Sequence, residues 1–290
     1  MFQDSEPHPE IPEGINTSKT HPLSEFAYLL GGAALVVLAI LFLAQALAGV
    51  MVHYISFETE SALYYQLAGD DFEGDVKEHL QKTEYLQSLA DNLAELMDLP
   101  EGMVIRAHYD DSDVANAYAT LAGNIVIYQG LINEVSSENG LAMVVAHEIA
   151  HIKYRDPLMS LGRGTISIIG LAILAGVGDS SAFGNIVNIT GGGLLAKFSR
   201  DQESRADQDA VEAIYNLYGT LEGADEFFVN MSKEDAELGV VFFSTHPATD
   251  SRIERIANAG VANGISKFEL TPLPEILSNA QEFESIRSID

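Results

Sequence analysis

From Phe26 to Val52 the chain reads FAYLLGGAALVVLAILFLAQALAGVMV, with no charged residue and a single amide, Gln45. A helix rises 1.5 Å per residue, so a run of this length can cross a hydrocarbon layer about 30 Å thick. A membrane-spanning helix over 26–53 is therefore the first expectation. The alternatives are a cleaved signal peptide or a buried core helix. A signal peptide usually has a shorter apolar stretch behind a basic start, whereas this stretch is long and follows the acids Glu6, Glu10 and Glu13. Residues 1–25 are polar, carry Pro7, Pro9, Pro12 and Pro22, and read as a mobile tail. Within about 20 residues of the span, the amino-terminal flank has Lys19 and the carboxy-terminal flank has no Lys or Arg. That single charge favours a cytoplasmic tail and a main domain on the far side.

Residues 197–290 read as several polar-faced helices in a soluble region. The whole chain carries 15 Lys+Arg against 43 Asp+Glu, a net charge of −28. Such a balance excludes nucleic acid as a partner, since phosphate recognition needs a basic surface. It equally excludes docking on anionic lipid through a basic patch, leaving the apolar span as the route to membrane lipid. There is no cysteine, so disulfide scaffolds, Cys-ligated zinc and thiol catalysis are ruled out. Any metal must be held by His, Asp or Glu. Helical spacing runs from Asp75 to Leu99 and stops at Pro100-Glu101-Gly102. Extended runs follow at 103–109, 114–120 and 123–129, the first two joined by a turn over Asp110–Asp113. A helix is expected from Ser136-Ser137-Glu138 to Tyr154, ending before Pro157. The apolar stretch 165–195, broken by Gly191-Gly192-Gly193, reads first as a packed helical hairpin and second as a membrane-contacting or re-entrant element.

The helix that ends at Tyr154 carries VVAHEIAHIKY. His147 and His151, at i and i+4, project from one face and can converge on one cation. Glu148 points at a neighbouring angle, from which it can reach a metal-bound water without ligating the metal. Zinc suits imidazole and lowers the pKa of bound water towards 7; an adjacent carboxylate then takes the proton as the water attacks a peptide carbonyl. The bland alternative, two satisfied core histidines with Glu148 on a solvated edge, leaves two imidazoles unexplained in an apolar helix. A catalytic zinc needs a third protein ligand and an open position. A third His six residues on is absent, because position 157 is Pro. The candidate is KFSRDQESRADQDAVEAIY (197–215), where Glu203 and Asp207 stand at i and i+4. Glu203 would ligate, and Asp207 would accept the free N–H of a ligand His. The competing view is an ordinary acidic face, given Asp201, Asp209 and Glu212 nearby.

HEIAH, then SRDQESRAD, then STHPATDSRIERI (244–256), preceded by NAYATLAGNIVIYQGLI (116–132), resembles the HtpX/BepA-like and CAAX-prenyl-endopeptidase-type membrane-associated zinc metalloproteases, a gluzincin family. The likeness covers about residues 75–260. It implies one Zn2+ per chain on His147, His151 and Glu203, Glu148 as catalytic base, and Asp207 as partner of a ligand His. It further implies a role for His246, in stabilising the tetrahedral intermediate or gating the site. Arg252 either supports that pocket or simply pairs with acids. Asn116, Ala117, Tyr118 and Ala119 are candidate substrate-binding residues, because an edge strand beside the metal can take an extended peptide as a further strand; the alternative is a hairpin that only packs the core.

The expected fold is α+β and mainly α: a zincin-like metallopeptidase domain over 54–265 with a small β-sheet, an amino-terminal transmembrane helix and a carboxy-terminal extension over 266–290. The expected function is a membrane-anchored metalloendopeptidase of protein quality control, acting on unfolded or misassembled polypeptides. It would sit single-pass in a bacterial inner membrane, with the catalytic domain periplasmic and homo-oligomers open. Two other readings remain at this level: a CAAX-type processing endopeptidase, for which the chain is short of apolar spans, and a non-catalytic zinc-dependent holdase.

Overall fold

The computed structural model describes residues 21–68, 79–174 (side chains to 166), 198–233, 242, 246, 256 and 270–277. Helix α1 (Pro22–Met51) begins four residues before the uncharged run, because Pro22 sits in its first turn and His21 caps it by accepting the Leu23 N–H at 3.3 Å. It buries none of its residues, and Leu29 and Phe42 are 74% and 78% exposed. With its short continuation to Tyr54 it spans 33 residues, and its most apolar 18-residue stretch has a mean hydropathy of 2.7. Among the described residues it is the one helix long and apolar enough to cross a membrane. Helix α2 (Phe57–Ala68) follows directly.

Helix α3 (Leu80–Leu96) buries Leu86, Leu89, Ala90 and Leu93, a spacing of three and four that lays one face on the core. The left-handed turn at Asp98 (φ 49°) and Gly102 (φ 80°) then sends the chain into the sheet. Strands β2 (Ala117–Ala119) and β3 (Asn124–Tyr128) lie within their expected runs, while β1 (Arg106–Asp110) starts three residues into its run and continues through Asp110, the first residue of the expected turn. They do not follow sequence order. Strand β3 inserts between the other two, parallel to β1 (Arg106 opposite Asn124) and antiparallel to β2 (Tyr118 opposite Val126). Four consecutive residues of β3, Asn124–Ile127, are buried, as a central strand covered on both faces requires. That leaves β2 at an edge.

Helix α4 (Gln129–Asn133) leads to α5 (Glu138–Lys153), capped by the Ser137 hydroxyl, which accepts the Gly140 N–H at 3.2 Å. Every residue of α5 from Asn139 to Ile152 is buried, so this helix is the axis of the domain. Residues 270–277 lie against its start: Thr271 O accepts the Glu138 N–H at 2.9 Å, and Leu277 is fully buried. Arg155, with φ 61°, turns the chain from α5 into α6 (Asp156–Leu174). Helix α6 packs on the carboxy-terminal part of α1, Gly162 facing Ala48 and Gly49 facing the Arg163 guanidinium. Of the hairpin expected over 165–195, the backbone to Leu174 continues α6, and 175–195 lie outside the described residues. Helix α7 (Arg200–Tyr218) starts with a capping box between Ser199 and Gln202 and ends at Gly219 (φ 70°); α8 (Glu226–Lys233) closes the described order of helices.

Candidate active site

Helices α5 and α7 pack together, and both bury alanines: Ala142, Ala146 and Ala150 on one, Ala206, Ala210 and Ala213 on the other. Small side chains let the two backbones approach, so longer polar groups can meet between them. His147 and His151 project from α5 one turn apart, their rings perpendicular and 4.6 Å between centroids. Their Nε2 atoms are 3.0 Å apart. From α7, Glu203 brings Oε2 to 3.4 Å from His147 Nε2 and Oε1 to 3.5 Å from His151 Nε2. His246 joins them, with Nδ1 3.1 Å from Glu203 Oε1 and 3.3 Å from His147 Nε2. One ligand atom from each of these four residues lies within 4.8 Å of the others, and all four residues are buried.

The outer nitrogens decide what the inner ones can do. His147 Nδ1 faces Asp207 Oδ1 at 3.1 Å, and His151 Nδ1 faces Asp156 Oδ2 at 2.9 Å. An ionised carboxylate only accepts, so each Nδ1 carries the proton and each Nε2 of a neutral ring presents a lone pair. Two lone pairs and a carboxylate then converge on one point in a buried space. Such a set repels itself unless a cation sits among its members, and imidazole nitrogens with a carboxylate suit a transition metal. The donor set fits a metal ion. Titration behaviour reflects the same crowding of acceptors. A proton competes for the same place: burial works to lower the His151 pKa, but hydrogen bonds to Asp156 and Glu203 outweigh it and push the group up to about 9, so the ring must give up a proton before its Nε2 lone pair can hold a metal. Burial alone would raise Glu203; hydrogen bonds from His147, His151 and His246 instead hold its carboxyl far below the usual range. His246 is lowered, chiefly by burial, against the pull of Glu148 and Glu203.

Glu148 stands beside this group and outside it. Its Oε2 accepts the Ala119 N–H at 2.7 Å, and its Oε1 lies 3.4 Å from His246 Nε2. The edge strand therefore holds the carboxylate. Along β2 the bonds to β3 are made on one side, Tyr128 N–H to Asn116 O at 3.1 Å and Thr120 N–H to Asn124 O at 2.8 Å. By the alternation of an antiparallel ladder, Ala117 and Ala119 turn their backbone groups the other way, towards Glu148. Asn116 is buried, and its Oδ1 has no hydrogen-bond partner among the described residues. Tyr118 packs near Tyr128, with ring centroids 6.0 Å apart. Arg252 lies outside the described residues, as do the neighbours of His246 in Ser-Thr-His-Pro.

Four contributors have no warning in motif spacing. Asp156 is fully buried; besides His151 it accepts from Gln202 Nε2 at 2.6 Å and from the Arg205 guanidinium at 2.8 Å. Gln202 thus serves both the α7 cap and the site. Phe198 stacks on the His151 ring at 3.9 Å and 18°, and Phe242 stacks on His246 at 4.6 Å and 15°. The one available signal for Asp156 was an acid directly before Pro157. Asp156→Asn is expected to weaken metal binding about 10- to 100-fold by loosening the His151 ring. Competition with a metallochromic chelator measures this, and unchanged affinity would leave Asp156 a purely structural residue.

Residues 80–259, more than half of the chain, match the model of peptidase family M48. Metalloprotease YcaL of Escherichia coli K12 is 26% identical over 160 residues, covering 54% of this chain and 61% of that protein. The mitochondrial metalloendopeptidase OMA1 of Schizosaccharomyces pombe is 29% identical over 147 residues, 49% of this chain and 42% of that protein. A putative beta-barrel assembly-enhancing protease of Vibrio cholerae is 26% identical over 149 residues, 48% of this chain and 31% of that protein. The chain thus spans between about a third and three fifths of these relatives. With the matched region holding both site helices and the sheet beside them, the chain belongs to peptidase family M48.

Proposed function

We propose that this chain is a membrane-anchored, zinc-dependent endopeptidase that hydrolyses peptide bonds in unfolded or misassembled polypeptides, including membrane-associated ones. The observation that carries the reading is the meeting of His147, His151 and Glu203 beside a Glu148 carboxylate that the edge strand holds. Zinc held by those three residues would supply a Lewis acid and make water acidic enough to lose a proton near neutral pH.

The remaining work falls to the chain's own groups. Glu148 Oε2 is pinned by the Ala119 N–H, while Oε1 faces the inner cluster and is the atom free to take a proton and later return it to the leaving amine. His246 is in place to donate to the oxygen on which negative charge develops. The backbone groups of Ala117 and the Ala119 carbonyl, on the side of β2 that faces Glu148, would give an extended peptide reaching the site a strand to pair with. Such pairing reads backbone more than side chains and needs several unfolded residues, which favours misfolded clients over compact ones. The buried amide oxygen of Asn116 is a further acceptor along that path. The uncovered apolar surface of α1 supports an anchor in lipid, and Lys19 on its amino-terminal flank favours a catalytic domain outside the cytoplasm. The name of the Vibrio cholerae relative, a putative beta-barrel assembly-enhancing protease, supports membrane proteins among the substrates.

Purified full-length protein is expected to fragment casein, an unfolded chain, and to leave a compact folded protein intact. A chelator should stop the cutting and added Zn2+ should restore it. Fragmentation that continues at full rate after complete metal removal would sink the proposal.

A further inference from the structure

We infer that Glu60, in the first turn of α2, is a positioning residue that fixes two backbone supports of the active site from the segment next to the membrane anchor. The inference rests on the endopeptidase reading above. Helix α2 precedes residues 80–259, so the family match assigns nothing to it. Glu60 is buried, only 5% exposed. Its Oε1 accepts the Ala122 N–H at 2.8 Å, and its Oε2 accepts Arg155 Nε–H at 2.8 Å. The same guanidinium donates to Ile55 O at 3.0 Å, which ties it to the chain between α1 and α2.

Both partners are strained in the same way. Ala122 and Arg155 each have φ of 61°, a left-handed conformation that residues with a Cβ adopt only when their surroundings hold them there. Each stands next to a support of the chemistry. Ala122 lies in the short turn (Leu121–Gly123) that leaves β2, the strand whose Ala119 N–H holds Glu148. Arg155 directly precedes Asp156, which orients His151. One carboxylate therefore pins the turn beside the proposed base and the turn beside a proposed ligand. Arg106 completes the first pin by donating to Ala122 O at 2.8 Å.

A carboxylate is required because both partners are donors. A glutamine has one acceptor oxygen, so it satisfies Ala122 or Arg155 and turns its NH2 on the other. Glu60→Gln thus removes one pin with almost no change of shape. The test uses full-length, zinc-loaded protein in detergent, with Glu148→Gln alongside. Two readouts are taken: amide hydrogen exchange, and casein-peptide kinetics per bound zinc. In Glu60→Gln the segment 117–122 is expected to exchange about tenfold faster while the α5 interior around Val145 keeps its rate. The kcat per zinc is expected to fall about tenfold, with KM within about twofold, because misplacing catalytic groups slows the chemical step. If Glu60→Gln does not fold, Arg155→Lys keeps a cation against Glu60 but loses the guanidinium fork, and the same pattern is expected at smaller amplitude. Unchanged exchange over 117–122 overturns the inference. So does acceleration shared equally by Val145, which would mark Glu60 as a general stabiliser. A wild type that cuts no faster than Glu148→Gln would instead overturn the endopeptidase reading, while exchange over 117–122 still decides what Glu60 holds.

Discussion

Replacing Glu148 with glutamine is expected to lower casein hydrolysis by about 10²- to 10⁴-fold, the usual contribution of a positioned general base, while the metal stays bound. The substitution is close to isosteric. Its amide oxygen can still accept the Ala119 N–H that now holds Oε2 at 2.7 Å, so the edge strand has no reason to move. What disappears is the ability to take a proton and give it back. Metal content should not change, since the converging atoms come from His147, His151, Glu203 and His246 and none comes from Glu148. Kinetics and elemental analysis on the same preparation therefore separate the outcomes. Equal turnover in the two proteins removes Glu148 from the mechanism. A preparation that loses its metal shows that the carboxylate supports the ligands. If neither protein cuts and both retain casein in a zinc-dependent way, the holdase reading displaces the enzyme.

Much of this site was legible because its geometry is local. His147, Glu148 and His151 sit within one turn of a helix whose cap, Ser137, is a serine at the expected place. Glu203 and Asp207 share one face of α7, and the capping box that starts α7 is itself written in Ser199 and Gln202. Two residues on each helix thus point at the neighbouring helix by spacing alone. The order of the strands was not legible in the same way. Local propensity marks three extended runs, but which run becomes central depends on what covers it, and Asn124–Ile127 are buried between β1 and β2 with α5 packed against the strand. Contacts that hang on one left-handed residue or on distant segments left no pattern either. Asp156 reaches His151 only because Arg155 takes a left-handed turn, and Glu60 lies 62 positions from Ala122 and 95 from Arg155. No period in the sequence joins such pairs.

His246 poses the sharpest choice, because its position allows two chemistries. With Nδ1 3.1 Å from Glu203 Oε1 and 3.3 Å from His147 Nε2, it stands close enough to be a fourth ligand. With Nε2 3.4 Å from Glu148 Oε1, it also stands on the side where the proposed base works. A fourth protein ligand would close a tetrahedral site and leave the metal no position for water or substrate, as in structural zinc centres. The same ring used as an N–H donor leaves that position open and is aimed where charge develops. Its stacking on Phe242 at 15° holds the ring plane for either task and so does not discriminate. Metal content does. His246→Ala is expected to reduce kcat about 10²- to 10³-fold, the range for losing one oxyanion donor, with metal content unchanged and KM little altered. His246→Asn, which keeps a shorter donor, should recover part of that loss. If His246→Ala sheds its metal and His246→Asn behaves no better, the histidine is a ligand; the open position must then come from another residue releasing the metal, and Glu203, whose two oxygens face both His147 and His151, becomes the one to examine.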